Sequence, residues 1–434
     1  MRLPLDSDLH PGEPILRVVI IGGGPGGTAC ALALQRLAEQ QARQVQITLI
    51  EGKQFKGEKH YNQCVGVLSP PLPELLENEL GIPFPHHLCL VNIQGYVLHS
   101  TREQIALTGD DEDSFALRRV QFDQYMLYKV MDHGIEIFPG RAVDLEFHPD
   151  RVIVYTESLP LEADVVVGAF GLDEGSAGMF SRHTAYHPPH AMNSLVTKFD
   201  PHDEQDSNLD GFIHAFLISN PRIEFGAVTP KCTHCTINIA GDHVDTPLMD
   251  RFLNNSQVQK VLPELNGGNA HQDHHLIYFK GRFPRSLAKN YYGDRYVMVG
   301  DAAGLVRAFK GKGVTTAVMT GVRAARTILQ HGFTHQAFHD HYRTANHDII
   351  QDLPYGYAMR LLTIFMSRVG MLDPVLRAAQ DSPDLQSALF DAVSAHALYS
   401  EVFKKALRPG TVFAVLKAML PGSNASRKEL ATPD

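Results

Sequence analysis

The sequence predicts an α/β protein whose first part is built on a parallel sheet and whose last part is helical. Near the N-terminus an apolar run, 16–21, is followed by a glycine cluster, a helical pattern and a second strand-like run. This is the order of a β-α-β unit. Far along the chain, the stretch 297–313 (VMVGDAAGLVRAFKGKG) begins as another buried strand and continues into a loop rich in glycine and lysine. From about residue 335 the apolar residues recur at helical spacing.

Composition excludes several classes of protein. Of the 434 residues, 44% are hydrophobic and 20% charged, which predicts a large packed core rather than disorder. The net charge of −9 argues against a nucleic-acid partner. The five cysteines lack the spacing of a disulfide framework, and no signal peptide or run of about 18 apolar residues is visible. We therefore expect a cytoplasmic protein. The histidines at 271–275 lie in a polar stretch, and we expect no metal site.

The first glycine cluster has the spacing of a dinucleotide-binding turn. Gly22, Gly24 and Gly27 form G-x-G-x-x-G directly after the first strand. In such turns the first glycine permits a tight turn, the second lets the backbone approach a pyrophosphate, and the third lets the helix pack on the strand. Pro25 and Gly26 complete the cluster, and the helix that follows it offers N-terminal N–H groups and the positive end of its dipole to phosphate. The sequence therefore predicts a Rossmann-like domain.

An acidic residue completes this unit. We predict a helix over 28–41 and a strand over 44–50, followed by Glu51, which lies 51 − 27 = 24 residues after the last glycine. A carboxylate at this distance accepts hydrogen bonds from a ribose diol. The unit fits NAD and FAD equally, so the dinucleotide stays open at this point.

A second candidate segment favours the longer cofactor. The residues 295–300 read as a strand, and Asp301 follows at its C-terminal end, where open α/β sheets bind ligands. A carboxylate there fits a ribityl hydroxyl. The loop 304–313 then leads into a predicted helix over 314–329, whose N-terminal dipole would face an anionic flavin ring. The two segments together predict FAD.

These segments, with the run Arg119-Val-Gln-Phe-Asp123 and the strand end Gly168-Ala-Phe-Gly171, resemble the FAD-dependent oxidoreductases with the p-hydroxybenzoate-hydroxylase-like fold. The resemblance covers about 16–330. It implies that Arg119 reaches the FAD backbone, that Asp301 binds the ribitol, and that Gly311 and Gly313 lie against the flavin ring. The remaining cofactor-binding residues that it implies are Gly300, Gly304, Lys312 and Val314.

Two departures from that pattern are visible. The acidic residue of the family's GADG strand end is replaced by Phe170 in this chain. The loop proline is replaced by Ala308.

Two further segments resemble the geranylgeranyl reductase branch of the family. The run 61–70, YNQCVGVLSP, is similar to its CGGxLSP segment, and 225–230, FGAVTP, stands where it carries Tyr-x-Trp-x-Phe-Pro. The resemblance implies a substrate site formed by Cys64, Gly66, Phe225, Ala227 and Thr229. Because aromatic residues are replaced by smaller ones at 227 and 229, the pocket is expected to be larger and the substrate to differ.

Three residues are candidates for catalysis. Cys64 is either a thiol near the flavin or a small buried hydrophobe. Lys310 and Lys312 are either solvated loop charges or cations that raise the flavin potential. Cys232 and Cys235 form one C-x-x-C in a predicted hairpin, which fits a metal or redox site or simply two neighbouring strand cysteines.

The resemblance predicts a Rossmann-like FAD-binding domain with an inserted α+β, antiparallel-sheet substrate domain and a C-terminal helical region. We assign 16–91, 116–180 and 286–335 to the first, 92–115 and 181–285 to the second, and 336–420 to the third, with flexible ends at 1–15 and 421–434. Strands of the inserted sheet are expected at 212–218 and 222–228. The C-terminal helices could pack on the core, cap the cavity or lie on a membrane surface.

The resemblance implies an FAD-dependent oxidoreductase that uses NAD(P)H or another electron donor. The leading expectation is a reductase that delivers hydride to a C=C bond of a small apolar, isoprenoid-like substrate. The alternative is a flavin-dependent monooxygenase. A flavin halogenase is less expected because the chain contains no tryptophan, and many halogenases carry Trp-x-Trp. Neither the substrate nor the oligomeric state follows from the sequence.

Overall fold

The computed structural model describes residues 14–53, 64–109, 114–200, 209–220, 222–265, 276–307, 313–395 and 397–419. The described residues form a six-stranded sheet, a seven-stranded sheet and two three-stranded sheets. A series of helices follows the last strand in the chain. The predicted fold class is confirmed: a Rossmann-like α/β domain is combined with a largely antiparallel sheet and a C-terminal helical region.

The strands and helices run in the following order along the chain. The strands are β1 (Leu16–Ile21), β2 (Val45–Ile50), β3 (Val67–Leu68), β4 (Cys89–Ile93), β5 (Gly95–His99), β6 (Gln104–Leu107), β7 (Ser114–Leu117), β8 (Glu136–Phe138), β9 (Ala142–Phe147), β10 (Val152–Thr156), β11 (Pro160–Ala163), β12 (Val165–Gly168), β13 (Ala191–Phe199), β14 (Phe212–Phe216), β15 (Phe225–Lys231), β16 (His234–Gly241), β17 (Tyr278–Pro284), β18 (Tyr292–Gly293) and β19 (Tyr296–Met298). The α-helices are α1 (Pro25–Gln40), α2 (Leu72–Glu74), α3 (Arg119–Asp132), α4 (Glu174–His183), α5 (Thr246–Leu253), α6 (Ser256–Val261), α7 (Gly313–His331), α8 (His335–Ala337), α9 (His347–Arg368), α10 (Leu372–Gln380), α11 (Pro383–Ser394), α12 (Tyr399–Ala406) and α13 (Pro409–Met419).

The six-stranded sheet has the order β18-β19-β12-β1-β2-β8 and is parallel except for the edge strand β18. Its central strands are continuous apolar runs because helices cover both faces of a parallel sheet. Helix α1 begins at Pro25, three residues before the predicted start. A proline is compatible with the first helical turn because its missing N–H would have no partner there and its φ is already helical.

Helix α7 packs directly on α1. A Cβ placed on Gly321 would lie 2.4 Å from the carbonyl oxygen of Gly26, so only glycine permits this approach of the two helices. The helix runs from Gly313 to His331, slightly beyond the predicted 314–329 at both ends. The strand before it is shorter than predicted, since β19 ends at Met298 and a tight turn, Gly300–Ala302, replaces its last residues.

The seven-stranded sheet has the order β17-β13-β16-β15-β14-β5-β6. All neighbours are antiparallel except β5 and β14, which pair in parallel. The first predicted strand is found, since β14 begins at Phe212 as expected, but it ends at Phe216 rather than at 218. The second is shifted, because β15 runs from Phe225 to Lys231 rather than over 222–228. Strand β15 continues through Pro230 because a proline is tolerated next to the hairpin turn, where few ladder hydrogen bonds remain.

The two faces of this sheet have different neighbours. Helices α5 and α6 cover one face through a buried cluster that includes Phe216, Val228 and Phe252. On the other face Ile213, Ala215 and Ala227 belong to a cluster with residues of α10 and α11. The C-terminal helices therefore pack on the core. Among the described residues, no helix is long and apolar enough to cross a membrane.

Two histidines lie buried under the α6 side of the sheet, which gives a first testable prediction. The ring nitrogens His99 Nε2 and His214 Nδ1 are 2.9 Å apart, and the His99 ring stacks on Phe216. Burial, together with the neighbouring His214, lowers the pKa of His99 to about 3. In the unfolded chain the pKa is about 6.5. The unfolded state therefore binds more protons between these values, so His99 contributes stability above pH 6.5 that is lost as the pH falls towards 3.

Between pH 6.5 and 3, we expect His99 alone to lower the free energy of unfolding by about 1.4 kcal/mol for each unit by which the pH falls. Urea unfolding of wild type and His99→Gln at pH 7.5, 6 and 5 measures the difference. The exposed His133, changed to Gln, is the matched control. Parallel stability–pH curves for wild type and His99→Gln would contradict the assignment.

Candidate flavin and substrate site

The glycine turn after β1 is shaped by close backbone contacts. Gly22 has φ +112°, and a Cβ on it would lie 2.5 Å from the carbonyl oxygen of Ala169. A Cβ on Gly27 would lie 1.9 Å from the carbonyl oxygen of Gly22. Gly24, in contrast, has no atom within 4 Å of the place where its Cβ would stand. The outer glycines are thus required by packing, whereas the space over Gly24 at the N-terminus of α1 is open to a ligand.

Glu51 lies at the end of β2 and is held by the backbone. Its Oε2 accepts a hydrogen bond from Gly23 N at 2.8 Å, and its Oε1 accepts one from Lys53 N at 2.7 Å. Each carboxylate oxygen keeps a second lone pair. Glu51 therefore both closes the glycine turn and still presents acceptors to a diol.

Asp301 lies in the tight turn that follows β19. Gly300 before it has φ +58°, and Gly300 N donates to Thr320 Oγ1 of α7 at 2.9 Å. Burial raises the pKa of Asp301 to about 6, although the nearby Arg119 opposes this. Gly313 starts α7 beside this turn, and a Cβ on it would lie 3.8 Å from Asp301 Oδ1. Asp301, Gly313 and Val314 line the same cavity as Gly24 and Glu51.

Arg119 also borders the cavity, but its guanidinium already has a partner. Arg119 Nε and Nη2 donate to the two oxygens of Asp123 at 3.0 and 3.2 Å. Burial disfavours the charged guanidinium, yet Asp123 outweighs this effect and raises the pKa of Arg119 above its ordinary value. The side chain is therefore a fixed cation at the cavity wall.

The predicted substrate residues lie in the same cavity. Cys64, Gly66, Phe225, Ala227 and Thr229 all line it. The last three alternate along β15, so they share one face of the seven-stranded sheet. Cys64 is exposed rather than buried, so it is not the small core hydrophobe of the alternative interpretation. Its Sγ accepts a hydrogen bond from Gly66 N at 3.4 Å.

Gly304, Cys232 and Cys235 do not line the cavity, and some other predicted residues lie outside the described part of the chain. Lys310, Gly311 and Lys312 lie outside the described residues, as does Ala308. Gly304 has φ +69° and turns the chain against Ser286. Cys232 is exposed at the hairpin turn and Cys235 is buried in β16, both as free thiols. Within the described ranges no group of three metal-ligating side chains occurs.

Sequence reasoning missed a buried cation next to the site. Lys231 is 3% exposed, and its Nζ donates to the carbonyl oxygen of Leu117 at 2.6 Å. Burial lowers the pKa of Lys231 to about 8, with Cys64 acting in the opposite direction. The available signal was its position, immediately after the Thr229-Pro230 segment that carried the family resemblance.

It also missed polar residues on the neighbouring strands. Ser194 of β13 and Asn238 of β16 line the cavity beside β15. Alternation along each strand could have placed them on this face, but only if the pairing of β13, β16 and β15 had been known.

The cavity suits a dinucleotide together with a second molecule. Its volume is about 2240 Å³, and it extends from the glycine turn to the seven-stranded sheet. This is more than twice the upper end of the range for a single drug-sized ligand, roughly 300–1,000 Å³. At one end, the helix terminus, the open backbone at Gly24 and the carboxylate of Glu51 fit a pyrophosphate and a ribose. Asp301 and the start of α7 lie between that end and the sheet.

Comparisons with known proteins agree with this geometry. The family described as pyridine nucleotide-disulphide oxidoreductase matches residues 16–77, which hold the glycine turn and Glu51. A digeranylgeranylglycerophospholipid reductase of Methanothrix thermoacetophila is 24% identical over 331 residues, or 72% of this chain and 77% of that protein.

Two solved structures share the fold. A geranylgeranyl bacteriochlorophyll reductase-like protein from Thermoplasma acidophilum has a TM-score of 0.66 at 16% identity, with 91% of this chain and 99% of that chain covered. A flavin-dependent brominase has a TM-score of 0.63 at 15% identity, with 90% and 97% covered.

The fold, the glycine-turn match and the shared cavity define the class of protein: the chain is an FAD-dependent oxidoreductase. Within that class it resembles the geranylgeranyl reductases over most of its length.

Proposed function

We propose that this enzyme is a reductase that saturates a C=C bond of an apolar, isoprenoid-like substrate. One observation carries the proposal: the apolar face of the seven-stranded sheet and the FAD-binding elements line a single cavity. Phe225, Ala227 and Val196 of that face supply an apolar wall. Such a wall binds a hydrocarbon chain by removing its surface from water.

The reaction requires a hydride at one alkene carbon and a proton at the other. When bound, FAD takes two electrons from NAD(P)H or another donor and supplies the hydride. We assign the proton to the thiol of Cys64, which lines the cavity and whose sulfur is oriented by Gly66 N. The protein's other contribution is to exclude water and hold the chain against the sheet.

The test is an anaerobic single turnover. FAD-loaded protein is reduced with a stoichiometric amount of dithionite and mixed with geranylgeraniol, while flavin absorbance and product mass are followed. We expect the flavin to reoxidise together with a gain of two hydrogens in the product. Cys64→Ser should slow this step by about 10²–10⁴-fold, the usual contribution of a general acid. Cys89→Ser, which changes a cysteine outside the cavity lining, is the control.

A monooxygenase is the second candidate, favoured by the shared fold with a flavin-dependent brominase and by the small side chains at 227 and 229. The same single-turnover experiment distinguishes a monooxygenase from a reductase. The reduced protein would not be reoxidised by the alkene, and admission of oxygen would yield a product heavier by one oxygen atom.

We also propose that the C-terminal helices contact an anionic membrane surface. Large apolar side chains stand exposed at helical spacing on α9 and α13, with Phe365 61% and Phe413 69% exposed. The other members of this exposed set are Tyr355, Tyr357, Leu361, Leu362, Val369, Leu407, Val412, Leu416 and Met419. Of the 18 large hydrophobic side chains found exposed in the described structure, these 11 belong to the last quarter of the chain.

The charge of these segments supports an anionic membrane as the partner of this surface. The segments 353–372 and 402–419 contain six basic residues and no acidic one, whereas the whole chain carries a net charge of −9. Three of the six pair with acidic side chains: Arg360 with Glu224, Lys405 with Asp391 and Arg408 with Asp384. The exposed Lys404 and Lys417, beside the exposed apolar side chains, fit the interface of a bilayer that contains anionic lipids. An apolar substrate dissolved in that bilayer would enter the cavity beside α11, because Val393 and Ser394 of this helix line the cavity.

Vesicle sedimentation measures this contact. We expect wild type to bind vesicles of phosphatidylcholine with 30% phosphatidylglycerol, in a salt-dependent manner, and to bind pure phosphatidylcholine more weakly. Phe365→Glu with Phe413→Glu should lower binding by at least tenfold, since two desolvated rings are replaced by charges that the lipid repels. Met131→Glu, at an equally exposed apolar residue on α3, is the control. Vesicle binding that these variants do not change, or a dimer that they dissociate in the absence of lipid binding, would refute the proposal.

A further inference from the structure

A diagonal line of polar side chains crosses the apolar floor of the cavity. We call Ser194, Asn238 and Thr229 the polar strip. They lie on the adjacent strands β13, β16 and β15, and all three line the cavity. Asn238 pairs with Val196 on one side and with Ala227 on the other. Ser194 is two residues from Val196 and Thr229 is two residues from Ala227, so each is a diagonal neighbour of Asn238 on the same face.

Two polar atoms of the strip, one on Asn238 and one on Thr229, lack hydrogen-bond partners in the described part of the chain. Asn238 is 6% exposed and Thr229 is 0% exposed. Neither Asn238 Oδ1 nor Thr229 Oγ1 has a hydrogen-bond partner in the part of the chain that the structure describes. A buried polar atom without a partner costs about 1–3 kcal/mol. Leucine and valine have nearly the same shapes as these side chains and would avoid that cost.

The residues beside the strip explain why a ligand could use it. A large aromatic side chain at 227 or 229, as the resemblance to geranylgeranyl reductases implies, would stand directly across from Asn238 or diagonal to it. With Ala227 and Thr229 in those places, the amide of Asn238 borders open cavity. Rotation of the amide and of the hydroxyl groups then presents both donors and acceptors to a bound molecule.

We propose that the polar strip binds a neutral hydroxyl or amide group of an otherwise apolar substrate. The group is neutral because the strip contains no charged side chain, and it both donates and accepts because the amide and hydroxyls do. The rest of that substrate lies on Phe225, Ala227 and Val196. This inference rests on the proposed function to the extent that the substrate occupies the same cavity. It excludes a pure hydrocarbon as the best ligand.

The test compares two ligands that differ by one hydroxyl. Geraniol and 2,6-dimethylocta-2,6-diene are titrated into the oxidised FAD-loaded protein, and dissociation constants are taken from the change in flavin absorbance. We expect wild type to bind geraniol roughly 3–10-fold more tightly, the equivalent of about one net hydrogen bond. Asn238→Leu and Thr229→Val should each bring this ratio close to one, mainly by weakening geraniol.

Matched controls separate the strip from general damage. Thr236→Val makes the same exchange on β16, two residues from Asn238 but outside the cavity lining, and should leave the ratio unchanged. Ala227→Phe covers the strip and should lower the ratio without removing any polar group. Equal affinities for the two ligands in wild type, or a ratio unchanged in both strip variants, would overturn the proposal. No turnover is involved, so a protein that prefers geraniol but fails to reduce an alkene would refute the proposed reaction and leave the strip in place.

Discussion

Gly24→Ala is expected to lower FAD affinity by roughly 100-fold while leaving the fold of the protein intact. The new Cβ meets no protein atom within 4 Å, and Gly24 has φ −72°, which alanine adopts without strain. The methyl group occupies the space through which a pyrophosphate reaches the N–H groups at the start of α1. Loss of one or two charge-assisted hydrogen bonds there corresponds to about 1.5–3 kcal/mol.

Fluorescence titration of apoprotein with FAD measures the affinity, and thermal unfolding of the same apoprotein measures the fold. Gly410→Ala is the matched control, because its Cβ would also meet no atom within 4 Å and it lies on α13, far along the chain from the glycine turn. Gly27→Ala provides the contrast. There the Cβ would lie 1.9 Å from Gly22 O, so we expect loss of stability in the apoprotein itself. Tight FAD binding by Gly24→Ala would place the pyrophosphate elsewhere.

The first β-α-β unit could be predicted from the sequence because its signals are local. The apolar run of β1, the glycines and Glu51 lie within one short segment, and each has a geometric requirement that few other residues meet. Boundaries were less predictable. Helix α1 began earlier than expected at Pro25, and β15 was shifted by three residues, because turn and pairing contacts decide where an element ends.

The floor of the cavity could not be predicted to the same extent. Phe225, Ala227 and Thr229 were found through a resemblance, and β15 brings them to one face. Asn238 reaches the site through the pairing of β16 with β15. Lys231 is held next to the site by its hydrogen bond to Leu117, 114 residues away in the chain. No local pattern encodes such contacts, because they depend on which strands become neighbours.

A buried ion pair joins helix α9 to the sheet, and its loss is expected to have the largest effect on stability. Arg360 of α9 donates through Nε and Nη2 to both oxygens of Glu224, which immediately precedes β15. Only 8% and 11% of the two side chains are exposed. The hydrogen bonds to Glu224 raise the pKa of Arg360 further above its ordinary value.

Arg360→Met should therefore lower the free energy of unfolding by about 3–5 kcal/mol, because it leaves the Glu224 carboxylate buried without its partner. The double variant Arg360→Met, Glu224→Leu should recover most of that loss, since two apolar side chains of similar size need no partner. Urea unfolding of the FAD-loaded proteins measures both. The surface pair Arg326–Glu79, with 45% and 36% of its side chains exposed, is the control, and Arg326→Met should cost less than about 1 kcal/mol. A similarly small loss of unfolding free energy for Arg360→Met would mean that the ion pair does not hold α9 on the sheet. A loss that the double variant does not recover would show that the charge pair itself specifies how α9 packs on the sheet.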